Sequence, residues 1–246
     1  MVPLSPSPYA QAMLDCWHGE SEATYHIHRD DGFSDAIPAS ASFAEEPFNP
    51  VEHLALERAT GHMLDAGAGV GRHTLFLQER GHTVTAIEIE PDLVKIMAGR
   101  GVTEPLCGSV FSLVGRRFDT ILMLMNGFGM VGTPAGADAF FERAQWLLSP
   151  EGQILCDSFD VHRTTNPVHL AYHETNRRMG RPAGQMRFSI EYQNRRGEAF
   201  DWLHIDFGTL RHIASRHGFS AELLAQEESG HYLTRLVHEN PRGAPA

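Results

Sequence analysis

Residues 62–91, HMLDAGAGVGRHTLFLQERGHTVTAIEIEP, decide how the rest of the chain is read. Met63 and Leu64 lead into Asp65, after which Gly67, Gly69 and Gly71 alternate with Ala68 and Val70. The order predicts a strand, a glycine turn and a helix carrying Leu75 and Leu77 that stops at Gly81. A second apolar run, Val84, Ala86 and Ile87, closes on Glu88. Glycines after a strand let a ligand approach the backbone closely, because no Cβ intervenes. The following helix start offers unpaired N–H groups to a negative group. Glu88 lies 17 residues after Gly71, where a second parallel strand would end, and a carboxylate there can accept both hydroxyls of a ribose.

Asp65-x-Gly67-x-Gly69-x-Gly71 followed by Glu88 resembles motifs I and II of the class I S-adenosylmethionine methyltransferases. The dinucleotide fingerprint G-x-G-x-x-G fits less well. Read from Gly67 its third glycine falls at Arg72, and read from Gly69 it falls at Thr74. The resemblance implies an α/β fold, Rossmann-like and doubly wound, with a mostly parallel seven-stranded sheet in the order 3-2-1-4-5-7-6. It covers residues 62–160 firmly and 206–239 loosely.

Moving outward, residues 1–60 read as an N-terminal cap segment and 61–246 as the core, interrupted by an insertion at 161–205. The cap holds ten acids against two arginines, a net of −8. It is expected to carry a short helix at 11–18, an extended piece from Tyr25 ending in a turn at Gly32, and a helix from Val51. Pro3, Pro6 and Pro8 suggest a loose start, and the tail from Pro241 is expected to fray. Pro105 cannot donate a ladder hydrogen bond, so the third strand, 102–107, belongs at a sheet edge. Phe118 to Met125 is nearly all apolar, as in a strand buried on both faces. The insertion reads as a β-hairpin, Met186 to Tyr192 and Phe200 to Ile205, split by Asn194-Arg195-Arg196-Gly197. Seven arginines and four acids give it a net of +3.

Composition bounds the function. The 246-residue chain has 42% apolar residues, enough for a sizeable core, and a net charge of −11. That balance opposes broad contact with a nucleic-acid backbone. Cys16, Cys107 and Cys156 form neither a C-x-x-C pair nor a disulfide framework, which suits a reducing cytoplasm. No signal peptide or membrane span is visible, and the fifteen histidines form no compact ligand pattern, so neither a membrane nor a metal is expected.

The resemblance implies roles for particular residues. Asp65 holds the glycine loop and faces the methionine amino group; Gly67, Ala68 and Gly69 line that portion through their backbone. Glu88 binds the ribose and Ile89 lies against the adenine. Many family members place an acid after strand three; here Ser109 stands there, with the Val110 N–H available to a ring nitrogen. Asn126 follows strand four without the two prolines of the amino-methyltransferase motif, so it either positions donor or acceptor or forms a turn. Methyl transfer from a sulfonium needs alignment more than acid–base help. His28 and Asp160 are nonetheless candidates for a general base; surface packing and turn capping are the plainer readings of each. In the insertion, Arg181 or Arg187 is a candidate ligand for an anionic acceptor, against the plainer reading of a basic face that is solvated or docked on the acidic N-terminal segment. Tyr192 and Trp202 are candidates for an apolar wall. The expectation is a methyltransferase acting on an N or O atom of a small acceptor, a homodimer being compatible with it. A non-catalytic S-adenosylmethionine-binding protein and an NAD-dependent oxidoreductase are the alternatives.

Overall fold

A computed structural model describes residues 6–44 and 46–239. The starting prolines up to Pro3 and the tail from Pro241 lie outside them. The chain runs α1 (Pro8–Trp17), β1 (Thr24–Arg29), β2 (Ser34–Pro38), α2 (Pro50–Arg58), β3 (Met63–Ala66), α3 (Arg72–Glu79), β4 (Val84–Glu88), α4 (Pro91–Arg100), β5 (Pro105–Cys107) and β6 (Phe118–Met123). It continues through α5 (Pro134–Leu147), β7 (Leu148–Phe159), α6 (Pro167–Arg178), β8 (Gln185–Tyr192), β9 (Arg195–Arg196), β10 (Phe200–Leu203), α7 (Phe207–Arg216), β11 (Phe219–Gln226) and β12 (His231–His238).

The larger sheet has seven strands in the order β5-β4-β3-β6-β7-β12-β11. Counting those seven in chain order gives 3-2-1-4-5-7-6. β5, β4, β3, β6 and β7 pair in parallel, while β12 pairs antiparallel with both β7 and β11. β3 and β4 are buried throughout and β6 nearly so, as sheet strands covered on both faces must be. α2 and α3 cover one face, with Ala55, Leu56, Phe76 and Leu77 against Leu122, Leu155 and Leu233. α5 and α7 cover the other, where Phe140, Phe141, Leu210 and Ile213 meet Ile121, Ile154 and Tyr232. The third strand is shorter than the expected 102–107, and Pro105 does begin an edge strand.

The second sheet departs from expectation. Its order is β10-β8-β1-β2, with β9 pairing β8. The hairpin of 186–205 is therefore not a separate ornament: β8 lies antiparallel to β1, with Ile27 opposite Ile190 and Arg29 opposite Phe188. The supposed boundary between N-terminal segment and insertion is crossed by backbone hydrogen bonds. α6 and β2 were not foreseen. α6 carries its start signals, Asn166 as N-cap and Pro167 at the first turn, but buries only Tyr172, His173 and Asn176, too few for a clear apolar period.

Register settles the faces of this sheet. Residues paired across antiparallel strands share a side. Tyr25, Ile27, Arg29, Met186, Phe188, Ile190, Tyr192 and Trp202 stand on one face; His26, His28, Arg187, Ser189, Glu191 and Asp201 stand on the other. The first face is packed, against α1 at the Tyr25–Tyr192 end and against Val161 and Tyr172 at the Met186–Trp202 end. The sheet thus lies as a cap over the carboxyl ends of the core strands.

Candidate functional site

The glycine loop is a tight crossover from β3 into α3. The Gly67 and Ala68 N–H groups both donate to the Ile87 carbonyl, at 2.9 and 3.1 Å, which holds the loop on β4. Gly67 has φ +75°, and a Cβ there would lie 2.6 Å from the Met130 Cε. Gly69 has φ +56°, and a Cβ there would meet nothing within 4 Å, so its bare backbone faces open space. Asp65 is 2% exposed and accepts the Thr74 hydroxyl at 2.7 Å, tying β3 to the first turn of α3. Burial pushes its carboxyl above the ordinary range, and His73 and the Thr74 hydrogen bonds only partly offset that.

Glu88 ends β4, 8% exposed. One carboxylate oxygen accepts the Gly69 N–H at 3.0 Å and the other the Glu90 N–H at 3.1 Å. Burial raises its pKa against these backbone bonds. The carboxylate is fixed beside the open turn of the loop, with lone pairs to spare. Ile89, 67% exposed, presents an apolar side chain next to it. After β5, the Ser109 hydroxyl accepts the Phe111 N–H at 3.2 Å and the Val110 side chain is buried.

The end of β6 is strained. Met125 and Asn126 both have φ 60°, an uncommon conformation for residues with side chains. The buried Asn126 Oδ1 has no hydrogen-bond partner among the described residues. Next to it the Gly127 N–H donates to Asp157 Oδ1 at 3.2 Å, and Asp157 Oδ2 lies 2.8 Å from His231 Nε2. Burial lowers the His231 pKa, but Asp157 outweighs it and the net shift is upward. This pair joins the ends of β6, β7 and β12.

Sequence reasoning missed this pair, and it missed a second polar cluster that braces the loop. Glu52 of α2 is 2% exposed; its Oε1 lies 2.7 Å from Arg72 and 2.9 Å from the His73 Nε2. Arg72 also donates to the carbonyls of Ala44 and Pro47 and covers the Phe48 ring. Burial pushes the Glu52 carboxyl up, while His73, the Asn49 N–H and Arg72 bring the net shift below the ordinary range. The Asn49–Glu52 capping box was the available signal for this helix start. Tyr9 of α1 was missed too. Its phenol is pushed up by burial and by the charges of Glu88 and Glu90, with Ser42 acting the other way. The charge of the carboxylate that ends β4 is thus felt at the N-terminal helix.

The remaining candidates divide by face. His28 stands on the outer face of the cap, its Nε2 3.2 Å from Glu191, and is not brought to the strand ends. Arg187 is on that same face, paired with Asp201 at 3.3 Å. Asp160 follows β7 and caps a turn, accepting the His162 N–H at 3.1 Å. Arg181 is half-buried, and its N–H donates to Asn176 at the end of α6. Tyr192 is buried against α1, its hydroxyl donating to Asp15 at 2.9 Å, so it docks the N-terminal helix. Trp202 faces inward, and a Cβ on Gly129 would fall 1.9 Å from its Nε1. It therefore lies directly on the turn that follows β6. Among the described residues no group of three His, Cys, Asp or Glu side chains is placed to hold a metal.

The comparisons match this geometry. Residues 64–156 match the model of a methyltransferase domain. The structure of an S-adenosylmethionine-dependent methyltransferase from Bacteroides fragilis, in complex with S-adenosylhomocysteine, is 35% identical over 97% of each chain, with a TM-score of 0.85. The CcbJ methyltransferase of Streptomyces caelestis (12% identity, TM-score 0.59, 79% of this chain and 98% of the other) shares the fold. So does DesVI of Streptomyces venezuelae (17%, 0.52, 76% and 90%). No curated protein matches the sequence. The residues present fit S-adenosylmethionine: a side-chain-free turn opens to space, a fixed carboxylate ends β4, and an Asn126 Oδ1 without a partner among the described residues follows β6. The chain belongs to the S-adenosylmethionine-dependent methyltransferases, and S-adenosylmethionine is its cofactor.

Proposed function

We propose that this methyltransferase acts on a nitrogen or oxygen atom of a small molecule held between the cap sheet and the ends of β6 and β7. One observation carries the reading. The inward face of a sheet built from the N-terminal segment and the insertion closes over those strand ends, with Trp202 seated on Gly129. Such a roof suits a compact acceptor better than a polymer.

Bound S-adenosylmethionine supplies a methyl group already activated by its sulfonium. The chain's own task is then to bind, orient and exclude water. Glu88 takes the ribose hydroxyls, the loop backbone from Gly67 to Gly69 lines the methionine portion with Asp65 behind it, and Ile89, Ser109 and Val110 border the adenine. Asn126 Oδ1 takes an N–H from donor or acceptor. Trp202 closes the site from above.

The net charge of −11 supports a partner that is neither nucleic acid nor membrane. No helix among the described residues is long and apolar enough to cross a membrane, and a cytoplasmic location suits the cysteine usage. An anionic acceptor gains nothing from Arg187, which faces outward. The test is a release assay for S-adenosylhomocysteine across small phenols, amines and carboxylates, with protein and RNA pools alongside. Release with a small molecule supports the reading; release with polymers alone ends it.

A further inference from the structure

His204 follows β10 on the inward side that also carries Phe200 and Trp202. Its backbone is held from several directions. Its N–H donates to the Gly184 carbonyl at 2.8 Å. The Ile205 N–H donates to the Ser158 hydroxyl at 3.1 Å, and the Ile205 carbonyl accepts the Tyr232 hydroxyl at 2.6 Å. The position is thus fixed by β7 and β12, not by the cap alone. The half-buried ring stands 5.8 Å from the Phe159 ring, at the carboxyl end of β7, and 6.5 Å from the Phe188 ring on the cap. Neither ring nitrogen has a hydrogen-bond partner among the described residues. A histidine with a pinned backbone, aromatic walls and idle nitrogens, set between roof and strand ends, is built to meet something absent from the protein itself.

We propose that His204 is a binding residue for the methyl acceptor, one ring nitrogen receiving a hydrogen bond from a neutral hydroxyl on an aromatic acceptor that lies against Phe159 and Phe188. This rests on the small-molecule reading above and narrows it to a substrate class. The surroundings favour that class over an alkylammonium. Arg29, 5% exposed, stands on the inward face directly opposite Phe188, and His173, 2% exposed, lies nearby on α6. Burial, then His173, Arg29 and His169, push the His204 imidazole down to about 4. At neutral pH the ring is uncharged and keeps one acceptor nitrogen. A phenolic O–H supplies the donor that this nitrogen lacks, and its ring stacks on the aromatic walls.

The test uses the full chain, labelled with 15N-histidine and saturated with S-adenosylhomocysteine, titrated with phenol and separately with benzylammonium. The expected result is a saturable shift of the His204 ring resonances with phenol and none with benzylammonium; the resonances are identified by their loss in His204→Phe. That variant keeps an aromatic ring in place. It is expected to bind S-adenosylhomocysteine within twofold of the parent and phenol at least tenfold more weakly. Phenol that leaves the His204 resonances in place, or that binds His204→Phe as well as the parent, overturns the proposal. The titration reads binding without turnover, so a failed acceptor screen and a failed titration are separate results.

Discussion

The core sheet and the cap sheet obey the same hydrogen-bonding rules but come from the chain in opposite ways. In the core, β3, α3 and β4 fall within 26 consecutive residues, and α3, α4 and α5 make the crossovers from β3 to β4, β4 to β5 and β6 to β7. In the cap, β1 meets β8 across a gap of more than 150 positions, and the helix packed on both, α1, precedes β1 in the chain. The core presents backbone and one carboxylate to a ligand that hardly varies within a family. In the proposed function the cap presents the side chains that select an acceptor. On that proposal, cofactor chemistry is written locally and acceptor chemistry non-locally.

Mutations can break or sharpen that contrast. The largest effect is expected inside the core, at the polar cluster that braces the glycine loop. Glu52→Ala leaves Arg72 and His73 buried without their carboxylate, and the chain should lose about 3–5 kcal/mol of stability by chemical denaturation. If it loses under 1 kcal/mol, α2 does not brace the loop. Next, Glu88→Ala should weaken S-adenosylhomocysteine by about 10- to 100-fold in calorimetry, roughly the worth of one or two hydrogen bonds from a charged group. An unchanged affinity would remove the ribose assignment. Gly129→Ala drives a methyl into the Trp202 indole and should cost about 1–3 kcal/mol while leaving cofactor affinity nearly intact. Equal damage to cofactor binding would show that cap and core are not separable. Arg187→Met sits at the bottom of the scale. Its partner Asp201 is solvent-facing, so stability should move by less than about 0.5 kcal/mol and acceptor affinity not at all.

The His231 pKa is raised in the folded state by Asp157 despite burial. The proton thus binds the folded chain more tightly than the unfolded one. The resulting stability is fully present below the ordinary histidine value of about 6.5 and is lost as pH rises through the raised folded value. His231→Gln should flatten that part of the melting-temperature profile. A parent profile with no fall between neutral and mildly alkaline pH would show that the pair does not titrate there.

The same local/non-local divide explains what could be read in advance. Asp65, the alternating glycines and Glu88 lie within one crossover, and their spacing alone placed them. Pro105 placed β5 at an edge because a missing N–H is a local fact with a global consequence. Tyr192 and Trp202 look alike in sequence, two aromatics on alternating strands, yet one docks α1 and the other lies on Gly129 after β6. Both stand on the same face, and which end of it each occupies depends on how β8 pairs with β1 and β10, which no residue near either of them announces. His28 shows the same limit. One step in register from Arg29, it lands on the outer face, and a period of two cannot say which face is inward. His204 carried no motif at all; its surroundings assemble from β7, β8 and α6.

The pairing of β1 with β8 also bears on synthesis. While the chain emerges from a ribosome, the crossover from β3 to β4 can close as soon as its own residues are free, because its partners are adjacent. β1 must wait, unpaired along one edge, until residue 191 and its neighbours arrive. Until then the newborn protein carries an exposed ribbon at its front, the kind of edge that chaperones recognise and aggregation exploits. Slow decoding around codons 160–185 would lengthen that exposure, so yield in a foreign host should respond to changes there more than to equal changes within the core.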